Sequence, residues 1–261
     1  MNGTTLPDVM KTARFPSAPS SYQTSSDMSK TSHINAALTS QVGRKLLTGI
    51  TGVLLALFVI AHLIGNLQLL SSDPTPFNAY GQKLHSFGIL LYIVEIGLAL
   101  TILLHAYIGI AIAVRKRRAR KQGYEKYQSK GAPSRQSVAS RTMIYTGIIL
   151  LVFLVIHLWQ FRFGPDVRTV IDGASTMDLH LLVREAFSNI GWVIFYVGVM
   201  LLLGFHLRHG VWSALQSLGA MKPKWSKAIH AVALVLGILL AVGFLILPVL
   251  IYLREHKILM L

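Results

Sequence analysis

Four histidines stand where a histidine is costly. His62, His105, His157 and His206 each lie well inside one of four successive apolar stretches. An ionisable side chain at such a position is a functional hypothesis by default. One alone reads equally well as a polar residue bonded to a neighbouring helix. Four in one chain, one per stretch, point to a shared task, and imidazole in apolar surroundings offers ligation of a metal or a metal-bearing macrocycle. The sequence contains no cysteine, which excludes disulfides, iron–sulfur ligation and thiolate metal sites. The stretches also lack the glutamates that a di-metal carboxylate centre needs. Two imidazoles filling both axial positions of one haem iron leave no site for oxygen, a set suited to electron transfer.

The elements that must hold these residues are membrane-spanning helices. Of 261 residues, 53% are hydrophobic and 13% charged, about half the charge of an ordinary soluble domain. Five apolar segments run from about Leu46 to Leu70, Gly88 to Val114, Arg141 to Phe161, Ile190 to Leu215 and Ala228 to Tyr252. Each is close to the ~20 residues that cross a bilayer as helix. None alternates with period two, so a β-barrel is excluded. The stretch from Met1 to about Val42 is rich in Ser, Thr, Asn and Gln and has no apolar core of the signal-peptide kind. It reads as a disordered polar tail over residues 1–43, before a membrane domain over 44–253 and a short outer tail over 254–261.

The net charge of +15 is gathered in particular loops, which points to membrane topology rather than nucleic acid. Ten Lys/Arg against one acid lie from Arg115 to Arg141, five Lys/Arg precede span one, and Lys222, Lys224 and Lys227 follow span four. The other loops hold only Lys83, and three Lys/Arg against four acids. Positive charge stays on the cytoplasmic side, so the N-terminus is expected inside and the C-terminus outside.

Depth then pairs the histidines. At ~1.5 Å of rise per residue, His62 lies ~24 Å from the inner start of span one, and His157 lies at nearly the same depth on span three. His105 and His206 each follow the outer start of their spans by about 16 residues, which puts both near the inner face. Two levels result, roughly 15–20 Å apart. In an up–down bundle, helices one and three are diagonal partners, as are two and four. The expected fold is therefore an all-α membrane protein of five transmembrane helices, the first four forming a haem-binding bundle.

Other residues are weaker candidates. His209 is an alternative to His206 or a contact for a haem propionate. His230 has no depth partner, His85 and His180 are expected in solvated outer loops, and His33 and His256 lie near the chain ends. Glu95, in the outer half of span two, is either a helix-bridging hydrogen bond or part of proton or quinone chemistry. Gly65 and Gly109 follow two of the ligands and would admit a flat ring.

The segments His62-Leu-Ile-Gly-Asn66, Leu104-His105-Ala106-Tyr107-Ile108-Gly109, His157-Leu158-Trp159-Gln160-Phe161-Arg162 and Phe205-His206-Leu207-Arg208-His209-Gly210-Val211-Trp212-Ser213 resemble the di-haem cytochrome b subunit of succinate:quinone oxidoreductases. The type is the single large anchor, and the likeness covers about residues 42–253. The resemblance implies an outer, distal haem b on His62 and His157 and an inner, proximal haem b on His105 and His206. It implies a flavoprotein and an iron–sulfur subunit docked on the cytoplasmic face of a bacterial inner membrane. Electrons from succinate would then reach menaquinone or another quinone near the distal haem, where Glu95, Asn66 and Gln68 are candidates. The subunit would not itself act on succinate. Some quinol:fumarate reductases carry a transmembrane glutamate two residues before the fourth ligand, where this chain has Gly204; the departure favours the succinate-oxidising direction. The alternatives are a bis-His cytochrome b of another dehydrogenase or hydrogenase, and a haem-free transporter.

Overall fold

A computed structural model describes residues 40–119 and 138–258. Of the expected polar tail, residues 1–39 lie outside the described residues, as do residues 120–137 of the basic loop and 259–261 of the C-terminal tail. In chain order the elements are α1 (Gln41–Asn66), continued by a 3-10 turn at Leu67–Leu70, α2 (Thr75–His85), α3 (Ile89–Arg118) and α4 (Val138–Phe161). A hairpin of β1 (Arg168–Ile171) and β2 (Ala174–Met177) follows, then α5 (Leu179–Phe187), α6 (Ile190–Ser217) and α7 (Ser226–Glu255).

Among the described residues, α1 with its 3-10 turn, α3, α4, α6 and α7 are the helices long and apolar enough to cross a membrane. The chain is thus a mostly helical, multi-pass membrane protein. On α3, Tyr92, Ile93, Val94 and Ile96 are all exposed, covering more than half the circumference at 3.6 residues per turn. A helix without a polar face is stable in lipid, because its backbone bonds are internal and its side chains need no water. The helices overrun the apolar windows, α1 starting at Gln41 and α3 ending at Arg118. Lysine and arginine continue a helix well and carry their charges out to the headgroups.

The helices run up and down. Tyr145 near the start of α4 meets Arg117 at the end of α3, and Arg162 just after α4 meets Glu95 near the start of α3. α1 packs on α3 and α6, and α4 packs on α6 and more lightly on α3. The four thus form a ring in which α1 and α4, and α3 and α6, are the diagonals. α7 lies outside the ring, against α6 and α1. Arg44, Lys45, Arg115–Arg118 and Lys222–Lys227 gather at one end, here the basic end.

The opposite end is covered by α2, the hairpin and α5, none of which was expected as a regular element. The hairpin turns at Asp172 and Gly173, both at positive φ (50° and 77°), the type I′ geometry that an Asp-Gly pair favours. Asn78 on α2 is 1% exposed. Its amide donates to Asp178 Oδ1 at 2.8 Å, and its Oδ1 accepts from the His180 N–H at 2.9 Å. Asp178 also caps α5 by accepting from the Leu181 N–H. Phe77, Val183, Phe187, Tyr196, Leu247 and Ile251 form one buried cluster beneath this clip. Arg184 on α5 makes a two-pronged bond to Glu255 at the end of α7 (2.6 and 2.9 Å).

His180, expected in a solvated loop, is instead 5% exposed. Burial, reinforced by the charge of Arg184, holds its imidazole below the usual histidine range. The loop reading failed because it was based on neighbours in sequence, whereas the cover comes from α2, about a hundred residues away.

Asn78→Ala is expected to lower stability by about 1–3 kcal/mol, the cost of leaving buried partners unsatisfied. Thermal unfolding in detergent measures this, and protease sensitivity should rise first between α4 and α6.

Candidate functional site

Both members of the first histidine pair face the ring interior toward the capped end. The His62 and His157 imidazoles have centroids 5.9 Å apart, with planes at 89°. Two imidazoles on opposite axial sides of one metal, with metal–nitrogen bonds of about 2 Å, have centroids about 6 Å apart. The 5.9 Å spacing leaves room for one metal ion between the rings, and it is also the spacing of an edge-to-face ring contact. Phe58 packs on His62 and Phe153 on His157, each at 5.4 Å. His157 Nδ1 lies 3.3 Å from the Tyr196 hydroxyl, which donates to Gln160 Oε1 at 2.9 Å.

The second pair sits toward the basic end, each ring docked on a neighbouring helix. His105 Nδ1 on α3 lies 3.1 Å from Thr51 Oγ1 on α1. His206 Nδ1 on α6 lies 3.1 Å from Thr146 Oγ1 on α4. Thr51 and Thr146 each precede the histidine near the capped end of their own helix by eleven residues, ~16 Å of helix. Because His62 and His157 meet, Thr51 and Thr146 share a level, and so do His105 and His206. Each docked ring also lies over a glycine: a Cβ on Gly52 would stand 3.3 Å from His105 Cε1, and one on Gly147 3.4 Å from His206 Cε1.

The two docking helices carry one pattern, Thr-Gly, then Phe, then His, at Thr51, Gly52, Phe58, His62 and at Thr146, Gly147, Phe153, His157. Spacing is identical in both copies. The sequence reading passed over Thr51, Thr146 and Tyr196. The repeat was the signal that would have found the threonines, but it is diluted in an apolar background where most positions match by chance.

The remaining candidates fall in several places. His209 Nδ1 is buried without a hydrogen-bond partner, and its ring meets Trp212 at 4.8 Å. An unsatisfied ring nitrogen at this level suits a carboxylate such as a propionate. His230 packs on the other side of Trp212, and His85 is exposed. Glu95 is held by Arg162 in a two-pronged bond of 3.0 and 3.1 Å, so it does bridge α3 to the chain after α4. Asn66 donates to the His62 carbonyl, and Gln68 is half-buried in the 3-10 turn. Gly109 is open. Gly65 is not: a Cβ there would stand 2.7 Å from the Tyr80 ring, so the space beside it admits a tyrosine of α2 rather than a cofactor.

A cleft of about 440 Å³ opens at the capped end, lined by Trp159, Gln160, Phe163, Leu182, Glu185 and Trp192 among others. Gln160 links it through Tyr196 to His157. Glu95, Asn66 and Gln68 do not line it.

Near His206, Gly204 is where α6 and α7 approach most closely. A Cβ on Gly204 would stand 2.8 Å from Ala241 Cβ, and one on Gly237 2.9 Å from the Gly204 carbonyl oxygen. This small-residue contact lets two membrane helices meet backbone to backbone. A carboxylate at position 204 has no space.

No family model, curated protein or solved structure matches this chain.

Gly204→Ala is expected to cost about 1–3 kcal/mol by overpacking, and Gly204→Glu to leave little folded protein. Yield after membrane extraction and the unfolding midpoint in detergent measure the two effects.

Proposed function

We propose that the chain is a di-haem cytochrome b, the membrane anchor of a succinate:quinone oxidoreductase in a bacterial cytoplasmic membrane. The observation that carries the reading is the arrangement of four histidines in two diagonal pairs at two levels of one helical ring. His62 and His157 face each other across the ring with centroids 5.9 Å apart, a spacing that a shared metal would accept. His105 and His206 are held at a common level by matched threonines. The ring interior is apolar, which suits a macrocycle, and His209 offers a free nitrogen for a propionate.

When bound, each haem supplies a one-electron carrier without an open oxygen site, and two levels about 16 Å apart connect one membrane face with the other. The residues of the chain set the rest. The basic end, with Arg44, Lys45 and Arg115–Arg118, provides a positive cytoplasmic surface suited to a flavoprotein and an iron–sulfur subunit. The capped end excludes water from the His62/His157 level, and the cleft beside Gln160 is a suitable seat for the ring of menaquinone or another quinone. Gln160 there orients Tyr196, which orients His157. Glu95, Asn66 and Gln68 stay second candidates for the quinone, with Glu95 already paired to Arg162. The specific link to succinate comes from the four sequence motifs.

The first test is a reduced-minus-oxidised spectrum of the purified chain, which should show b-type bands from two haems; their absence sinks the cytochrome reading. Co-purification of a flavoprotein, rather than a hydrogenase or formate dehydrogenase, decides the complex. His62→Ala or His157→Ala should remove the outer haem and quinone reduction while the inner haem stays. Loss of the inner haem instead would overturn the depth assignment.

A further inference from the structure

We infer that Thr51 and Thr146 are positioning residues for the inner haem, each accepting a hydrogen bond from Nδ1–H of His105 or His206 and so turning Nε2 of both rings toward the iron. The inference rests on the di-haem reading and adds the groups that fix the inner ligands.

A hydroxyl can give or take a hydrogen bond, so its direction must be found from where its own proton goes. Thr51 donates to the Leu47 carbonyl at 2.8 Å, with the Thr48 carbonyl at 3.2 Å. Thr146 donates to the carbonyls of Met143 at 3.1 Å and Thr142 at 3.2 Å. This backward bonding is the usual habit of threonine within a helix. It uses up the one proton and leaves only lone pairs facing the imidazoles. Nδ1 must then carry the hydrogen, and Nε2 is left with the lone pair that a metal takes.

The outer level solves the same problem with different parts. Tyr196 sends its proton to Gln160 Oε1, so its lone pair faces His157 Nδ1 at 3.3 Å. Neither ring nitrogen of His62 has a hydrogen bond among the described residues. The inner pair is therefore the more completely fixed, with both ligands backed at 3.1 Å. Gly52 and Gly147 complete each notch, because a Cβ there would press on the ring at 3.3 or 3.4 Å.

A hydrogen bond from Nδ1–H makes the imidazole a stronger donor to the metal, which favours ferric over ferrous iron. Its loss should raise the midpoint of the inner haem. A tenfold change in the reduced-to-oxidised ratio corresponds to about 59 mV for one electron.

The test uses the full chain, purified as wild type and as Thr51→Val, Thr51→Ser, Thr146→Val and Thr146→Ser, each titrated through its b-type absorbance. Valine keeps the shape and removes the hydroxyl, whereas serine keeps the hydroxyl. Each valine variant is expected to shift one of the two components upward by about tenfold in that ratio and leave the other in place. The serine variants should stay at the wild-type value. Loss of a single haem in the valine variants, with retention in the serine variants, supports the same assignment. Unmoved potentials, equal shifts of both components, or identical behaviour of valine and serine variants overturn it. A wild type without b-type bands overturns the haem reading itself, and is seen before any variant is made.

Discussion

A buried imidazole has two ring nitrogens, and the hydrocarbon of a bilayer satisfies neither. Much of this molecule can be understood from where those nitrogens point. Thr51 takes one nitrogen of His105 across the α1–α3 contact, and Thr146 takes one of His206 across the α4–α6 contact. Tyr196 takes one of His157 across α4–α6 again. Each bond joins neighbours in the ring, never a diagonal. The α1–α4 diagonal is bridged by the histidines themselves, His62 facing His157. The helix contacts that hold the ring together thus also hold three of the four imidazoles in place.

That economy makes the two halves of the ring alike. α1 and α4 each carry an outer histidine and, eleven residues earlier, the notch for an inner one. A change of depth in either helix would displace histidines at both levels together. The two ends nevertheless differ in chemistry. One is ringed by lysine and arginine. The other is closed by α2, the hairpin and α5, held by the Asn78–Asp178 clip and the Arg184–Glu255 pair. Rigidity is thereby concentrated around His62, His157, Tyr196 and the Gln160 cleft.

How far this could be read in advance depended on how many dimensions each feature needs. The five spans follow from apolarity along the chain, and the levels from a constant rise per residue; both are one-dimensional, and both were legible. The up–down ring follows from the alternation of basic and non-basic connections along the chain. The cap was not legible, because Asn78 and His180 become meaningful only when two segments a hundred residues apart are brought together. Gly65 misled for the same reason: its empty side belongs to Tyr80, which no local pattern predicts. The threonines are an intermediate case. Their repeat was visible as spacing, but only the contact of Thr51 with His105 says that a common residue in membrane helices has a partner.

The fifth helix constrains what the proposed electron path can do. Gly204 and Gly237 bring α6 and α7 together beside the inner level, and the contact leaves no volume for an acidic side chain. Glu95 is the one carboxylate well inside a span, and it is held by Arg162 toward the capped end. On α1, α4 and α6 no acid lies between the two histidine levels. An elementary charge carried fully across a membrane exchanges ~2.3 kcal/mol per 100 mV with the field. A proton moved alongside an electron would cancel that exchange, but it would need a titratable group in the stretch between levels. In this chain that stretch is filled on α1 and α4 by the apolar residues between Gly52 and His62 and between Gly147 and His157. On the proposed path, an electron moved between the levels without an accompanying proton would couple to the membrane potential, and its favourable direction would depend on the sign of that field.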